Sequence, residues 1–322
     1  MNYLVAGGAG FLGSHLCDRL MASGHRVLCV DNLLTGRKKN IAHLLTSPNF
    51  SFWQEDITVP FGKDKQSNLT NIAGIFHLAS PASPNINSAL SYMSYPVETM
   101  LVNSVGTYNL LELAKKNKAK FLYASSSEIY GDPKEHPQKE TYFGNVNPNG
   151  PRACYDESKR FGEALTFSYV RKFHVNARVV RIFNTYGPRM DPNDGRVISN
   201  FIVAGLKNKP LIVYGQGKQT RSFCYVSDLI NGLVDALEKD GTKNEVFNMG
   251  SDEEYSILNL AKIVGETLGI ENKISYADLP NDDPSKRRPD LSKAKRILGY
   301  RPKISLKEGL PKTIEYFKKE IA

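Results

Sequence analysis

The segment Gly7-Gly8-Ala9-Gly10-Phe11-Leu12-Gly13 constrains the fold more than any other stretch of this chain. It follows a short apolar run at 2–6 and opens the run 11–22, in which Phe11, Leu12, His15, Leu16 and Leu20 share one side. A strand that ends in glycines and turns straight into a helix is a phosphate cradle. Gly7, Gly10 and Gly13 let the backbone turn tightly and approach a pyrophosphate, while the first N–H groups of the helix are free to bind it. Residues 26–30, Arg-Val-Leu-Cys-Val, read as a second strand ending at Asp31. The rhythm then repeats, with strands expected at 74–77, 120–124 and 177–182 and helices at 97–116 and 152–173. Strands alternating with helices predict a parallel sheet covered on both faces.

Beyond residue 183 the texture changes. Glycine, proline and asparagine are frequent through 184–195 and 208–219. Short strands (211–214, 222–226, 245–248) interleave with helices (197–207, 226–238, 256–268, 306–320). The expected fold is therefore α/β: a Rossmann-type doubly wound parallel sheet over 1–182, carrying the dinucleotide, with a smaller, interleaved C-terminal substrate-binding lobe over 183–322. The proline-rich segment 131–151 reads as irregular and is expected to lie over the active site.

Asp31, at the end of the second strand, suits both hydroxyls of an adenosine ribose and repels a 2′-phosphate, which favours NAD over NADP. Arg37 argues the other way, since a nearby arginine tolerates that phosphate. Asn32 beside Asp31, Phe11 and Leu12 in the turn, and Ala79 past the 74–77 strand complete the expected cofactor contacts. Asp56-Ile57, after a third strand, could meet the adenine; a plain surface or turn acid is an equal reading of Asp56.

The formal net charge is +9, but the basic residues are spread along the chain, with short clusters at 37–39 and 286–288. That pattern fits a solvated surface or a cleft that steers in an anionic substrate, and it argues against a nucleic-acid binder. The longest apolar stretch, 3–13, is far short of the ~20 residues of a membrane helix. A cytoplasmic protein without a membrane span is expected. Cys17, Cys29, Cys154 and Cys224 form no C-x-x-C pair, and the histidines show no ligand spacing, so no metal is expected.

Tyr155-Asp156-Glu157-Ser158-Lys159 places Tyr155 and Lys159 on one face of a helix. A free phenol titrates near ~10. A neighbouring ammonium lowers that value, and the phenolate then takes a proton from an alcohol as hydride leaves. The strand end ahead of this helix carries Ser125-Ser126-Ser127.

G-x-x-G-x-x-G together with Y-x-x-x-K resembles the extended short-chain dehydrogenase/reductase family. Further segments narrow the likeness: His77–Pro84, Ser126–Asp132, Gly150–Glu157, Arg181–Met190, Gln219–Phe223 and Asp283–Asp290. Over essentially the whole chain they resemble its UDP-glucuronate decarboxylases. The resemblance implies NAD, a UDP-sugar substrate, and a homodimer that pairs the helices near 97–116 and 152–173. It implies catalytic roles for Ser126, Ser127, Glu128, Tyr155, Lys159 and Arg287. Lys159 would lower the Tyr155 pKa and bind the nicotinamide ribose, and Arg287 would face the sugar carboxylate. Asn184, Arg189 and Arg221 would contact the nucleotide sugar. The related 4,6-dehydratases place Asp-Glu where this chain has Ser127-Glu128, and the 4-epimerases generally lack the glutamate, so the pair favours decarboxylation. Glu128 as a capping or surface acid, a 4-epimerase or 4,6-dehydratase, and a non-catalytic NAD-binding regulatory protein remain the alternatives. One departure stands out: the stretch between Pro84 and Pro96 is several residues longer than the family pattern and is expected to form a flap over nicotinamide and sugar.

Overall fold

The computed structural model describes residues 1–66, 68–270, 273–279 and 284–321. Asp283, the first residue of the 283–290 motif, lies outside them. Six strands, β1 (Asn2–Ala6), β2 (Arg26–Val30), β3 (Phe50–Trp53), β4 (Ile72–His77), β5 (Lys120–Ser126) and β6 (Ala177–Ile182), join the strand Val246–Met249 in one parallel sheet. The order is Val246–Met249, β6, β5, β4, β1, β2, β3. Alternate strand residues feed two cores. Val5, Phe76, Leu122 and Val180 pack on one face, and Leu4, Ile75, Phe121 and Val179 on the other. This is why the strands read as continuous apolar runs.

The winding reverses between β1 and β4, which pair directly, Val5 opposite Phe76. A crevice opens there, beyond the carboxyl ends of the strands, and this is where such sheets bind ligands. The glycine turn sits in it. Gly7 has φ +79°, and a Cβ there would lie 2.6 Å from the Ala79 nitrogen. A Cβ on Gly13 would lie 2.0 Å from the Gly7 carbonyl, so the first turn of the helix Phe11–Ala22 fits against the glycine turn only with glycine at 13.

The helix expected at 97–116 is interrupted. Pro96–Leu101 passes through one π turn, Val102–Gly106, into Thr107–Asn117. The π turn, a device common at functional sites, carries Asn103. Its amide donates to Ser80 Oγ (3.0 Å) and Ser158 Oγ (3.1 Å) and accepts from Tyr123 (3.3 Å), binding the loop after β4 to the helix Ala153–Phe173.

Two expectations need correction. The strand at 222–226 is two short strands in different sheets, Thr220–Ser222 and Cys224–Tyr225, because the chain changes partner at Phe223. The first pairs in parallel with Lys286–Arg287, which sets Arg221 opposite Arg287. The segment 131–151, expected over the active site, reaches the sugar-side cavity only at Pro151 among the described residues. Its polar groups are spent elsewhere. Gln138 exchanges backbone bonds with Arg288 and Asp290, and Asp132 accepts from Ser285, so the segment clamps the chain that delivers Arg287. Strands and helices at 274–277 and 292–298 went unread in the sequence. Among the described residues no helix is long and apolar enough to cross a membrane.

Candidate active site

Two cavities of about 240 and 530 Å³ adjoin at the crevice and share Phe11, Leu12, Leu78, Ser80, Ala82 and Arg196 as walls. Gly7, Gly10, Phe11, Leu12, Gly13, Asp31, Asn32, Asp56, Ile57 and Ala79, all expected at the cofactor, line the smaller one. The buried Asp31 carboxylate accepts the Ala9 N–H (3.0 Å) and the Leu33 N–H (2.9 Å), so it also braces the glycine turn. Burial pushes its carboxyl up, against those hydrogen bonds. Asn32 donates to Asp56 (3.1 Å).

Arg37 does not stand free for a 2′-phosphate. Its guanidinium holds Asp191 (2.9 Å) and Glu320 (3.2 Å) and donates to the Tyr316 hydroxyl (3.1 Å). The arginine that argued for NADP is thus neutralised within the protein. Asp31→Asn removes the remaining discriminating charge. NAD should then bind roughly tenfold or more weakly, as loss of charge-assisted hydrogen bonds requires, and the preference over NADP should shrink. Equilibrium binding of both dinucleotides to NAD-stripped protein measures this; unchanged NAD affinity would refute it.

The larger cavity is lined by Ser126, Ser127, Glu128, Tyr155, Lys159, Asn184, Arg221 and Arg287. Arg189, expected on the sugar side, lines the dinucleotide cavity instead, where it pairs with Asp18 (2.7 Å); its residue adopts φ +68°, which turns the side chain toward the glycine helix. The Asn184 side-chain nitrogen is buried without a hydrogen-bond partner among the described residues, a donor left for a ligand.

Tyr155 and Lys159 share a helix face as expected, with Lys159 Nζ 5.6 Å from the Tyr155 ring centre and donating to the Ala124 carbonyl (2.9 Å). Burial pushes the Tyr155 phenol up to about 12, against a hydrogen bond from Ser126 and the charge of Arg196. Burial also pushes the Lys159 ammonium down to about 7, opposed by Glu163. Burial is the largest influence on both groups.

Glu128 is no surface acid. Its carboxylate is gripped by both terminal nitrogens of Arg287, with Nη2 to Oε2 at 2.8 Å, and by Arg152. Burial would raise this carboxyl, but Arg152 and Arg287 outweigh it and hold it at about 2. The fork of Arg287, expected to meet the sugar carboxylate, is thus partly taken by the protein's own glutamate. Its Nε stays buried without a partner among the described residues.

Sequence reasoning missed four residues here. Arg152 sits inside a quoted motif and went unassigned. Arg196 carries no motif but walls both cavities. Glu163 grips Arg181 (2.8 and 3.0 Å) and accepts from Ser125. Asp156 is buried with Oδ1 unpartnered among the described residues, and burial followed by the Glu128 charge pushes its carboxyl up to about 8. An acid whose folded value exceeds its unfolded 3.8 favours folding at low pH and loses that contribution as pH rises toward 8. Asp156→Asn should therefore raise the melting temperature more at pH 8 than at pH 4; an equal gain at both pH values would refute the burial of a neutral acid.

The model of the NAD dependent epimerase/dehydratase family matches residues 3–250. The chain belongs to that family. Within it, this family member is 50% identical to UDP-glucuronic acid decarboxylase 4 of Arabidopsis thaliana over 321 residues, all but complete for this chain and 69% of the relative. Among solved structures it resembles UDP-glucose 4-epimerase of Thermotoga maritima with UDP-glucose (TM-score 0.89, 32% identity, 100% of both chains). It also resembles UDP-glucuronic acid 4-epimerase of Bacillus cereus in complex with UDP-glucuronic acid and NAD (TM-score 0.86, 32% identity, 99% and 100%). The cofactor of the chain is NAD, and the glycine turn, Asp31 and the sequestered Arg37 fit it.

Proposed function

We infer that this epimerase/dehydratase-family enzyme decarboxylates UDP-glucuronate to UDP-xylose through a 4-keto sugar. The observation that carries the reading is the pair of buried guanidinia, Arg152 and Arg287, held on one glutamate at the wall of the sugar cavity. Two cations against one anion leave a net positive charge where a sugar carboxylate would lie. The likeness to UDP-glucuronic acid decarboxylases supports the same substrate.

Tyr155 takes the 4-hydroxyl proton, with Ser126 hydrogen-bonded to the same oxygens. NAD, held by the glycine turn and Asp31, would supply a reversible acceptor for the C4 hydride. Lys159 and Arg196 add positive charge on the protein side. The 4-ketone is β to the C5 carboxylate, so carbon dioxide leaves with its bonding electrons delocalised into an enolate. Arg287, gripped by Glu128, orients that carboxylate from the cavity wall that Ser127 also lines, and a proton from solvent water reaches C5 before the hydride returns. No net oxidation results. Asn184 and Arg221 bind the diphosphate side of the substrate. Two lobes divide the work, 1–182 for NAD and 183–322 mainly for the UDP-sugar.

The enzyme acts as a homodimer. Val97 (62% exposed), Met100 (48%) and Tyr108 (49%) form an apolar face with Phe161 (52%) on the neighbouring helix, more than a solvated helix pair needs. Incubation of the purified protein with UDP-glucuronate, without added NAD, tests the function. A UDP-pentose with released carbon dioxide is expected; a UDP-galacturonate product would assign epimerisation instead.

A further inference from the structure

We propose that Tyr92 is a positioning residue that fixes the ring of Tyr155 and ties it to the loop walling the sugar cavity; this rests on Tyr155 being the base. The two rings are stacked, with centres 4.7 Å apart and planes 9° from parallel. This is the offset arrangement that aromatic pairs favour. Tyr92 is itself buried, and it walls neither cavity among the described residues. It therefore acts through Tyr155 and does not reach the substrate.

The stack joins a loop to the start of a helix. Tyr155 stands on the first turn of the helix Ala153–Phe173. Tyr92 belongs to the long 84–95 loop, of which Pro84, Asn85, Ile86, Asn87 and Met93 wall the sugar cavity and Leu90 the dinucleotide cavity. The loop is seated by short polar links. The Tyr92 N–H donates to the Ser83 carbonyl (3.1 Å), Ser88 Oγ donates to the Asn193 carbonyl (2.5 Å), and Ser83 Oγ donates to the Asp194 carbonyl. Cys154 Sγ, one residue before the base, donates to the Tyr92 carbonyl (3.6 Å). Polar links of the loop's own backbone hold its seat, and the Tyr92 ring carries that fixed position to the phenol. With the Tyr92 ring gone, Tyr155 would have room to turn about its side-chain bonds, and water would reach its face.

The flat ring carries this role and the hydroxyl does not, because the Tyr92 hydroxyl is buried with no hydrogen-bond partner among the described residues. The experiment compares the full-length parent with Tyr92→Phe and Tyr92→Leu. It reads turnover and KM for UDP-glucuronate, bound NAD released on denaturation, and reduction of bound NAD by a set of UDP-sugars. Tyr92→Phe should match the parent. Tyr92→Leu should lose roughly tenfold to a hundredfold in kcat, the cost of a misplaced reacting group, at unchanged KM and NAD content. Tyr92→Met, which fills space without a flat face, is held to the same outcome and covers a Leu variant that folds poorly. Parent-like kcat in both Leu and Met variants would overturn the proposal. So would a Phe variant as slow as Leu, or activity that falls only in step with NAD content. A parent that reduces NAD with some UDP-sugar yet releases no carbon dioxide from UDP-glucuronate contradicts the substrate reading alone, and the Tyr92 comparison is then made on that sugar. A parent that neither releases carbon dioxide from UDP-glucuronate nor reduces NAD with any UDP-sugar contradicts both.

Discussion

Tyr155→Phe should lower the rate of carbon dioxide release by about a thousandfold, within the 10²–10⁴ range that a positioned acid–base group contributes, while the fold and NAD content stay intact. The substitution removes one oxygen and keeps the ring, so the stack on Tyr92 survives. The hydrogen bond with Ser126 is lost, and Lys159 stays on the Ala124 carbonyl. Single-turnover measurement of NAD reduction by UDP-glucuronate locates the loss in the hydride step. A variant within tenfold of the parent would remove Tyr155 from the chemistry.

Glu128→Ala should be the most destabilising single change at the site. It leaves the buried guanidinia of Arg152 and Arg287 facing each other without the carboxylate that both grip. Breaking a buried pair by removing one partner costs about 3–5 kcal/mol, because the remaining charge stays desolvated. Denaturant unfolding should show that loss, and carbon dioxide release should fall with it. Glu128→Gln keeps the shape and some hydrogen bonds and should lie between. The pH dependence follows from the direction of the shift. The Glu128 carboxyl is held at about 2, below its ordinary 4.5, so its contribution is complete above pH 4.5 and lost as pH falls toward 2. Stability of Glu128→Ala equal to the parent at pH 7 would show that the cluster is not what holds these side chains together.

Much of this was legible because local rules and the global fold agree. The glycine turn, the strand ending at Asp31 and the Tyr155/Lys159 spacing each demand one geometry, and strands 2–6, 26–30 and 177–182 lie where the apolar runs put them. What escaped depends on contacts between distant segments. No local pattern tells that Arg37 is captured by Asp191 and Glu320, since one partner lies at the far end of the chain. Arg189 was placed by its neighbours in sequence, but its backbone conformation turns it to the dinucleotide side. The 131–151 segment is expected over the active site because it is irregular; Gln138 instead ties it by backbone bonds to Arg288 and Asp290. Desolvation is likewise a tertiary quantity. Spacing puts Lys159 beside the Tyr155 ring, but how far burial moves each group depends on the packing of distant segments around them.

In a redox-neutral decarboxylation the hydride leaves C4 and comes back. UDP-glucuronate carrying deuterium at C4, given to the purified protein without added NAD, tests it in one mass spectrum. The account predicts a UDP-pentose that has lost carbon dioxide and kept its deuterium. Unchanged substrate mass, or a decarboxylated product without the label, would contradict it.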